Sequence, residues 1–214
     1  MRSYQQYCGL ARALDVLGER WTLLTVREFL DGPRGYNELL DGLPGIATNL
    51  LAERLRSLAA AGVIHHREDG RYELTPWGAD LRETVYALGR WAGPLMAQPR
   101  GEDHFRMEWL HHMVIARFDG HDPDRADLAV ELCSGEETFA LVSEGGRVHL
   151  EPGRATAPDV SLTGPPDAMV GLLLGRIDAP DAEARGVSID GDLRGLQGLR
   201  PRGERPAPLG APPT

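Results

Sequence analysis

The chain has 214 residues, of which 42% are hydrophobic and 26% charged, with a formal net charge of −9. That balance belongs to a globular protein with a core of its own, and no run approaches the roughly 20 apolar residues that a membrane helix needs, so a membrane partner is excluded and a cytoplasmic location is expected. Two cysteines, Cys8 and Cys133, are too few for a disulfide framework or a zinc module.

The negative charge argues against a nucleic-acid partner until its distribution is read. Residues 1–98 hold 11 Arg against 12 acids, whereas residues 99–214 hold 12 Arg against 20 acids. The acidity therefore belongs to the second half. All 23 basic residues are arginine. A base-composition bias of the genome accounts for that, and the planar guanidinium still suits phosphate because it donates two parallel hydrogen bonds.

In chain order, "CGLARALDVLGERWTLLTVREFLDG" predicts two helices broken near Gly18. Leu10, Ala13, Leu14 and Leu17 recur at helical spacing, as do Trp21, Leu24 and Phe29 with Val26 nearby. Asp31-Gly32-Pro33 ends the second, and "GYNELLDGLPG" is a short helix closed by glycine and proline. A longer helix then runs from Thr48, its predicted N-cap, to Gly62. "VIHHRE" and "RYELT" flank Asp69-Gly70, a pair suited to the positive φ angles of a two-residue type I′ hairpin, which sets Glu68 opposite Arg71 and Arg67 opposite Tyr72. Thr75 or Pro76 opens a long helix to about Met96, with Leu81, Val85, Leu88 and Leu95 on its buried side.

The second half begins with a helix from about Phe105 to Phe118, carrying Met107, Leu110, Val114 and Phe118 near one side. Period-two alternation follows at Leu128, Val130 and Leu132, at Phe139 and Leu141, at Val148 and Leu150, and at Val160 and Leu162. Turn signals at Ser134-Gly135 and Glu144-Gly145-Gly146 make the first three an antiparallel meander. "DAMVGLLLGRI" is an apolar helix, "VSIDGD" a further strand and "LRGLQGLR" a short helix. The last 14 residues hold five prolines and no apolar period, so they are expected to be disordered. The expected organisation is a first domain over 1–98, a linker over 99–104, a second domain over 105–200 and a tail over 201–214.

Chemistry enters at the helix after Thr48. At about 100° per residue, Leu55 and Leu58 fall with Leu51 on a core stripe, while Asn49, Glu53, Arg56 and Ala60 fall on the far side. That far side is small and polar, as a helix entering a major groove requires. Thr48 would leave the first-turn amides near a phosphate. Arg54 lies beside the core stripe, where it reaches phosphate or covers apolar surface with its stem. Arg67 and Arg71 stand near the hairpin tip, where a wing touches the phosphate backbone or minor groove. An ordinary amphipathic helix and a solvated hairpin are the plain alternative.

Over residues 8–97, the run from "CGLARALDVLGERWTLL" to "AAAGVI", followed by "YELTPWG", resembles the HxlR-type winged helix-turn-helix regulators. The resemblance implies a mainly α winged helix-turn-helix domain, a homodimer paired through N- and C-terminal helices, and one recognition helix per half-site of a pseudo-palindromic double-stranded DNA operator. Two departures stand out: Ala47 occupies a position that is often serine in the family, and "HHREDGRY" is a short wing. Residues 103–200, with "APDVSLTGPPDAMVGLLLGRI" and the later "GD", are similar to the sterol-carrier-protein-2-like α+β fold. That resemblance implies an apolar tunnel for a small hydrophobic ligand, walled by Phe139, Leu141, Met169, Leu172, Leu173 and Leu174. The reading is a repressor whose DNA affinity responds to that ligand. For each of these apolar side chains, membership of an ordinary core is the plainer alternative.

Other constellations carry less. Adjacent His65 and His66 point to opposite faces of a strand and cannot share one ion. His104, Glu108 and His111 share a helix side with His112 one turn on, but no further ligand is marked, so no metal and no cofactor are expected. Cys8 falls where some HxlR-type regulators sense oxidants or electrophiles, so a thiol-sensor regulator is one alternative, with a small buried hydrophobe at the dimer seam beside it. No nucleophile elbow, phosphate-binding glycine loop or metalloprotease motif is present, so an enzyme is not expected. A lipid carrier whose first domain only dimerises is the other alternative.

Overall fold

In the computed structural model, which describes residues 3–93, 95, 104–118, 124 and 126–199, the chain divides into two units, Met1–Val85 and Tyr86–Thr214. Residues 99–103 of the expected linker and the 201–214 tail lie outside the described residues.

The first unit is built from short helices and one hairpin. Helix α1 (Gly9–Leu17) stops at Gly18, and α2 (Thr22–Glu28) starts after Trp21, which sits in the left-handed region at φ 75°. Helix α3 (Tyr36–Gly42) opens on Gly35, whose amide donates to the Glu38 carboxylate at 2.6 Å. Helix α4 (Thr48–Ala60) lays Leu51, Leu55 and Leu58 into a core with Val26, Phe29, Leu39, Leu43, Val63 and Ile64. Strands β1 (Ile64–His66) and β2 (Tyr72–Leu74) form the hairpin.

The long helix expected after Thr75 is divided. Helix α5 (Pro76–Ala79) is capped by the Thr75 hydroxyl, which accepts from the Gly78 amide at 3.0 Å, and Asp80 separates it from α6 (Leu81–Ala92). Leu88 and Leu95, expected inside, are 43% and 44% exposed, and Tyr86 is the buried residue of α6. Helical spacing marks an apolar stripe but not what covers it. Leu81 and Val85 pack against the first core; the later members of the stripe do not.

In the second unit, α7 (Met107–Phe118) precedes β3 (Leu128–Ser134), β4 (Glu137–Glu144) and β5 (Arg147–Pro152), the expected antiparallel meander. Strand β6 (Val160–Thr163) then joins β3 in parallel. Helices α8 (Pro166–Leu173) and α9 (Ala179–Ala184) lead to β7 (Ser188–Gly191), and a 3₁₀ helix spans Leu193–Leu199. The sheet order is β5-β4-β3-β6-β7. Helix α9 is an addition to the sequence reading: six residues are too few to show an apolar period.

Alternating side chains of this sheet and the apolar side of α8 make one core. Leu141, Met169, Leu172 and Leu173, expected to wall a tunnel, are buried in it among Val130, Leu132, Val160 and Leu162, with half-buried Phe139 against its edge. Apolar periodicity identifies buried positions equally well whether they face a cavity or one another, and here they face one another.

Candidate nucleic-acid interface

Helix α4 presents two different faces. Leu51, Leu55 and Leu58 are at most 2% exposed, while Thr48, Asn49, Glu53 and Arg56 are exposed on the other side. The N-cap is Ala47, not Thr48: Ala47 keeps extended angles (φ −74°, ψ 143°), its carbonyl accepts from Leu51, and it offers no side-chain cap. Thr48 is therefore the first helical residue. Its carbonyl accepts a 2.7 Å bond from the Tyr36 hydroxyl, which ties the first turn of α4 to α3.

Arg54 is the clearest departure among the expected contacts. Its side chain is 8% exposed; Nη2 donates to Glu53 at 2.9 Å, and Nη1 lies 3.9 Å from Glu19. One turn of rotation explains this, because residue 54 falls beside Leu51, Leu55 and Leu58, so its stem is drawn into the core and its head is spent on neighbouring acids. Arg56, two residues on, has its Nε on the Ala52 carbonyl at 3.3 Å and its side chain outside the core.

The hairpin differs in register from the sequence reading. Arg67 pairs with Arg71, its amide donating to the Arg71 carbonyl at 2.8 Å, and the loop is the three residues Glu68, Asp69 and Gly70. A type I′ turn needs positive φ at both central residues, but here only Gly70 adopts it, at 81°. The Asp69 carboxylate instead accepts from the Arg71 amide at 3.1 Å, a local bond that holds Asp69 out of the left-handed region. The same amide is the first cause, and Arg67 a second, of an Asp69 carboxyl held below its ordinary range.

Both wing arginines are engaged within the unit. Arg67 donates to Asp69 and, at 2.7 Å, to Glu73; Arg71 reaches back to the Pro33 carbonyl at 2.8 Å and to both Glu38 oxygens. The tip is a clamp in which Asp69, Glu73 and Glu38 hold both arginines, where the sequence suggests two arginines open to phosphate. Glu38 and Arg34 are the positioning residues that sequence reasoning missed. Arg34 exchanges two backbone hydrogen bonds with Tyr72, adding a third strand position to the hairpin. No local pattern marks a pairing across that separation. His65 faces Glu73 at 3.7 Å, and His66 meets Tyr72 edge to face at 4.8 Å.

Comparison with known proteins places this geometry. Residues 16–99 match the family model for HxlR-like helix-turn-helix proteins. An uncharacterized helix-turn-helix-type transcriptional regulator of Mycobacterium tuberculosis is 36% identical over 99 residues, which are 44% of this chain and 62% of that one. The regulator YvaP of Bacillus subtilis is 30% identical over 87 residues, 38% of this chain and 81% of its own length. The chain belongs to the HxlR-like helix-turn-helix family. Among solved structures, quinone-bound YodB from B. subtilis is 30% identical with a TM-score of 0.37, covering 39% of this chain and 94% of that one. The reduced form of the redox regulator HypR is 28% identical with a TM-score of 0.37, covering 40% and 91%.

Beyond the HxlR-like part, residues 104–198 match the MDMPI C-terminal domain, and this replaces the sterol-carrier-protein-2-like resemblance. The α+β character holds; the family assignment of the second unit changes. In the first unit, ahead of the matched residues, Cys8 is the N-cap of α1 and is exposed in the single chain. The Ala11 amide and then the Leu10 amide lie close enough to lower its thiol from the ordinary value by favouring the thiolate, without making a side-chain cap hydrogen bond to it. Among the described residues, no three His, Cys, Asp or Glu side chains are grouped to hold a metal ion, and no helix is long and apolar enough to cross a membrane.

Proposed function

We propose that the protein is a repressor that binds double-stranded DNA as a homodimer, setting one α4 helix into the major groove at each half of a pseudo-palindromic operator. One observation carries this reading: the outward face of α4 gathers Thr48, Asn49, Glu53 and Arg56, all exposed and none bulky and apolar, on a helix whose opposite face is fixed in the core. Asn49 can pair with adenine and Arg56 with guanine through two hydrogen bonds each. Arg67 and Arg71 contribute to DNA only by exchanging their carboxylate partners for phosphate, so they are secondary. A small effector acting through the second unit completes the reading; a purely apolar one would have to part Leu141, Met169, Leu172 and Leu173.

The test is binding of the full chain to fragments of its own upstream region and to random duplex, each at two salt concentrations. The proposal expects a preferred fragment, a steep loss of affinity with salt, and loss of the preference in Asn49→Ala and Arg56→Ala. Equal affinity for all duplexes would leave the carrier reading in its place.

A second reading is favoured by Cys8 itself, an exposed thiol at a helix N-terminus with its thiolate stabilised by two amides. In that reading an oxidant or electrophile at Cys8 releases the DNA. Cys8→Ser should then keep operator binding and lose oxidant-induced release; release at the wild-type level would remove the idea.

A further inference from the structure

An acid in the middle of the outward face of α4 is out of place on a surface that meets DNA. Glu53 lies four residues after Asn49 and three before Arg56, so the three side chains share one side of the helix. Duplex DNA carries one negative charge per about 1.7 Å of its axis, so a carboxylate brought into its groove is repelled unless a hydrogen bond there offsets the repulsion. In the major groove the amino donors belong to cytosine, at N4, and adenine, at N6. The adenine donor stands beside the N7 acceptor, which suits an amide and repels a carboxylate. Cytosine shows its donor alone, and is the base a glutamate reads.

The partners of Glu53 leave one acceptor open. Arg54 Nη2 donates to Glu53 Oε1 at 2.9 Å, while Oε2 accepts from no group among the described residues. The Glu53 side chain is 57% exposed, so that oxygen is within reach of a partner from outside. On a solvated helix a glutamate ordinarily pairs with an arginine one turn away. Arg56 stands one turn away and makes no ion pair among the described residues; its Nε goes to the Ala52 carbonyl at 3.3 Å. The outward acid is thus held by the buried Arg54, and the outward arginine is left free.

We infer that Glu53 determines specificity for a C·G base pair in each half-site, its Oε2 accepting a hydrogen bond from the cytosine N4 amino group. From Asn49 to Arg56 the helix rises about 10 Å at about 1.5 Å per residue, which is about three base-pair steps of roughly 3.4 Å. The cytosine therefore falls between the adenine paired with Asn49 and the guanine paired with Arg56. Arg54 keeps its place in the scaffold and reads no base. The inference rests on the α4 reading and adds a third base to it.

The experiment is selection of duplexes by the full chain from a library with a randomised core, followed by competition between the selected duplex and versions altered at one base pair. Wild type should select a half-site with a fixed C·G pair, and replacing that pair should weaken binding by about ten-fold. Glu53→Ala should accept all four pairs alike at that position and keep the preferences beside it. It should also bind random duplex more tightly than wild type, since a negative charge has left the face. Glu53→Gln, whose amide suits adenine, should change the preferred pair from C·G to A·T. That variant keeps an acceptor for Arg54 and should keep the wild-type urea midpoint, so the change is read on an intact fold. If wild type prefers no duplex, the α4 reading falls and this inference with it. If wild type selects an operator and both variants select the same one with equal discrimination, the α4 reading stands and the role of Glu53 is refuted. A uniform loss of affinity for every duplex in both variants would also overturn it, because a purely structural acid has no preferred base.

Discussion

Two arginines two positions apart on α4 show how much one rotation decides. Arg54 is buried against the leucine stripe with its head on Glu53, and Arg56 is exposed on the outward face. Arg54→Ala should therefore lower stability by about 1–3 kcal/mol, through lost packing and an acid left without its donor, and it should weaken DNA binding only as the fold loosens. Arg56→Ala should leave the urea midpoint within error and cost about 1–3 kcal/mol of operator discrimination. Comparing midpoint and affinity in both variants separates the roles; a matched loss of both in Arg56→Ala would place it in the scaffold. At the wing, Glu38 is held below the ordinary carboxylate range, first by the Gly35 amide and then by Arg71 and Arg34. The folded pKa is thus depressed, so its contribution is present above the unfolded value and fades as pH falls below it through the folded one. Acid unfolding of Glu38→Gln should show a shallower fall in stability across that window than wild type, and an unchanged slope would mean that the clamp contributes nothing.

At the scale of elements, Ala47 is a cap without a capping group. A serine there has its hydroxyl within reach of the first-turn amides, so Ala47→Ser should stabilise the protein by about 1 kcal/mol, read as a higher urea midpoint at unchanged slope. No gain would show that those amides are already satisfied. The hairpins show what was legible in the sequence and what was not. Gly145-Gly146 was read as a turn and forms one, with φ of 53° and 77° and Glu144 paired to Arg147. Asp69-Gly70 was read as the same two-residue turn and is not, because Asp69 has a side chain that bonds the next amide but one, and so the loop takes a third residue. The leucine stripe of α4 and the meander were visible because one face of each must be apolar at a fixed period. The partners of Arg67, Arg71 and Arg34 were not, since ion pairs and single bridges between distant residues leave no period behind. The residues expected to wall a tunnel make a related point: burial is written in the sequence, and the presence of empty space beside a buried residue is not.

At the scale of the whole molecule, the apolar surface that remains uncovered calls for a partner. On α1, Leu10 is 70% exposed and Leu14 lies outside with it, one turn apart on the same side; on α6, Leu88 and Trp91 are exposed, Trp91 by 75%. Single exposed apolar residues are ordinary, but paired ones at helical spacing on two helices form stripes of the kind that a helical dimer seam buries. The proposed operator mode needs that dimer, because one recognition helix reads only half a site and the separation of two is set by the seam between them. Leu10→Asp and Trp91→Ala each leave the buried cores of their units intact, so the variants should fold with native far-UV circular dichroism. In sedimentation they should shift from dimer toward monomer, Leu10→Asp further because it puts a charge into an apolar seam. Their affinity for a full operator should fall much more than their affinity for a half-site, since the monomer keeps its α4 face and loses only the second one. A monomeric wild-type protein would remove the two-fold operator from the reading. Dimers unaffected by either substitution would move the seam to another surface while leaving the α4 interface as it stands.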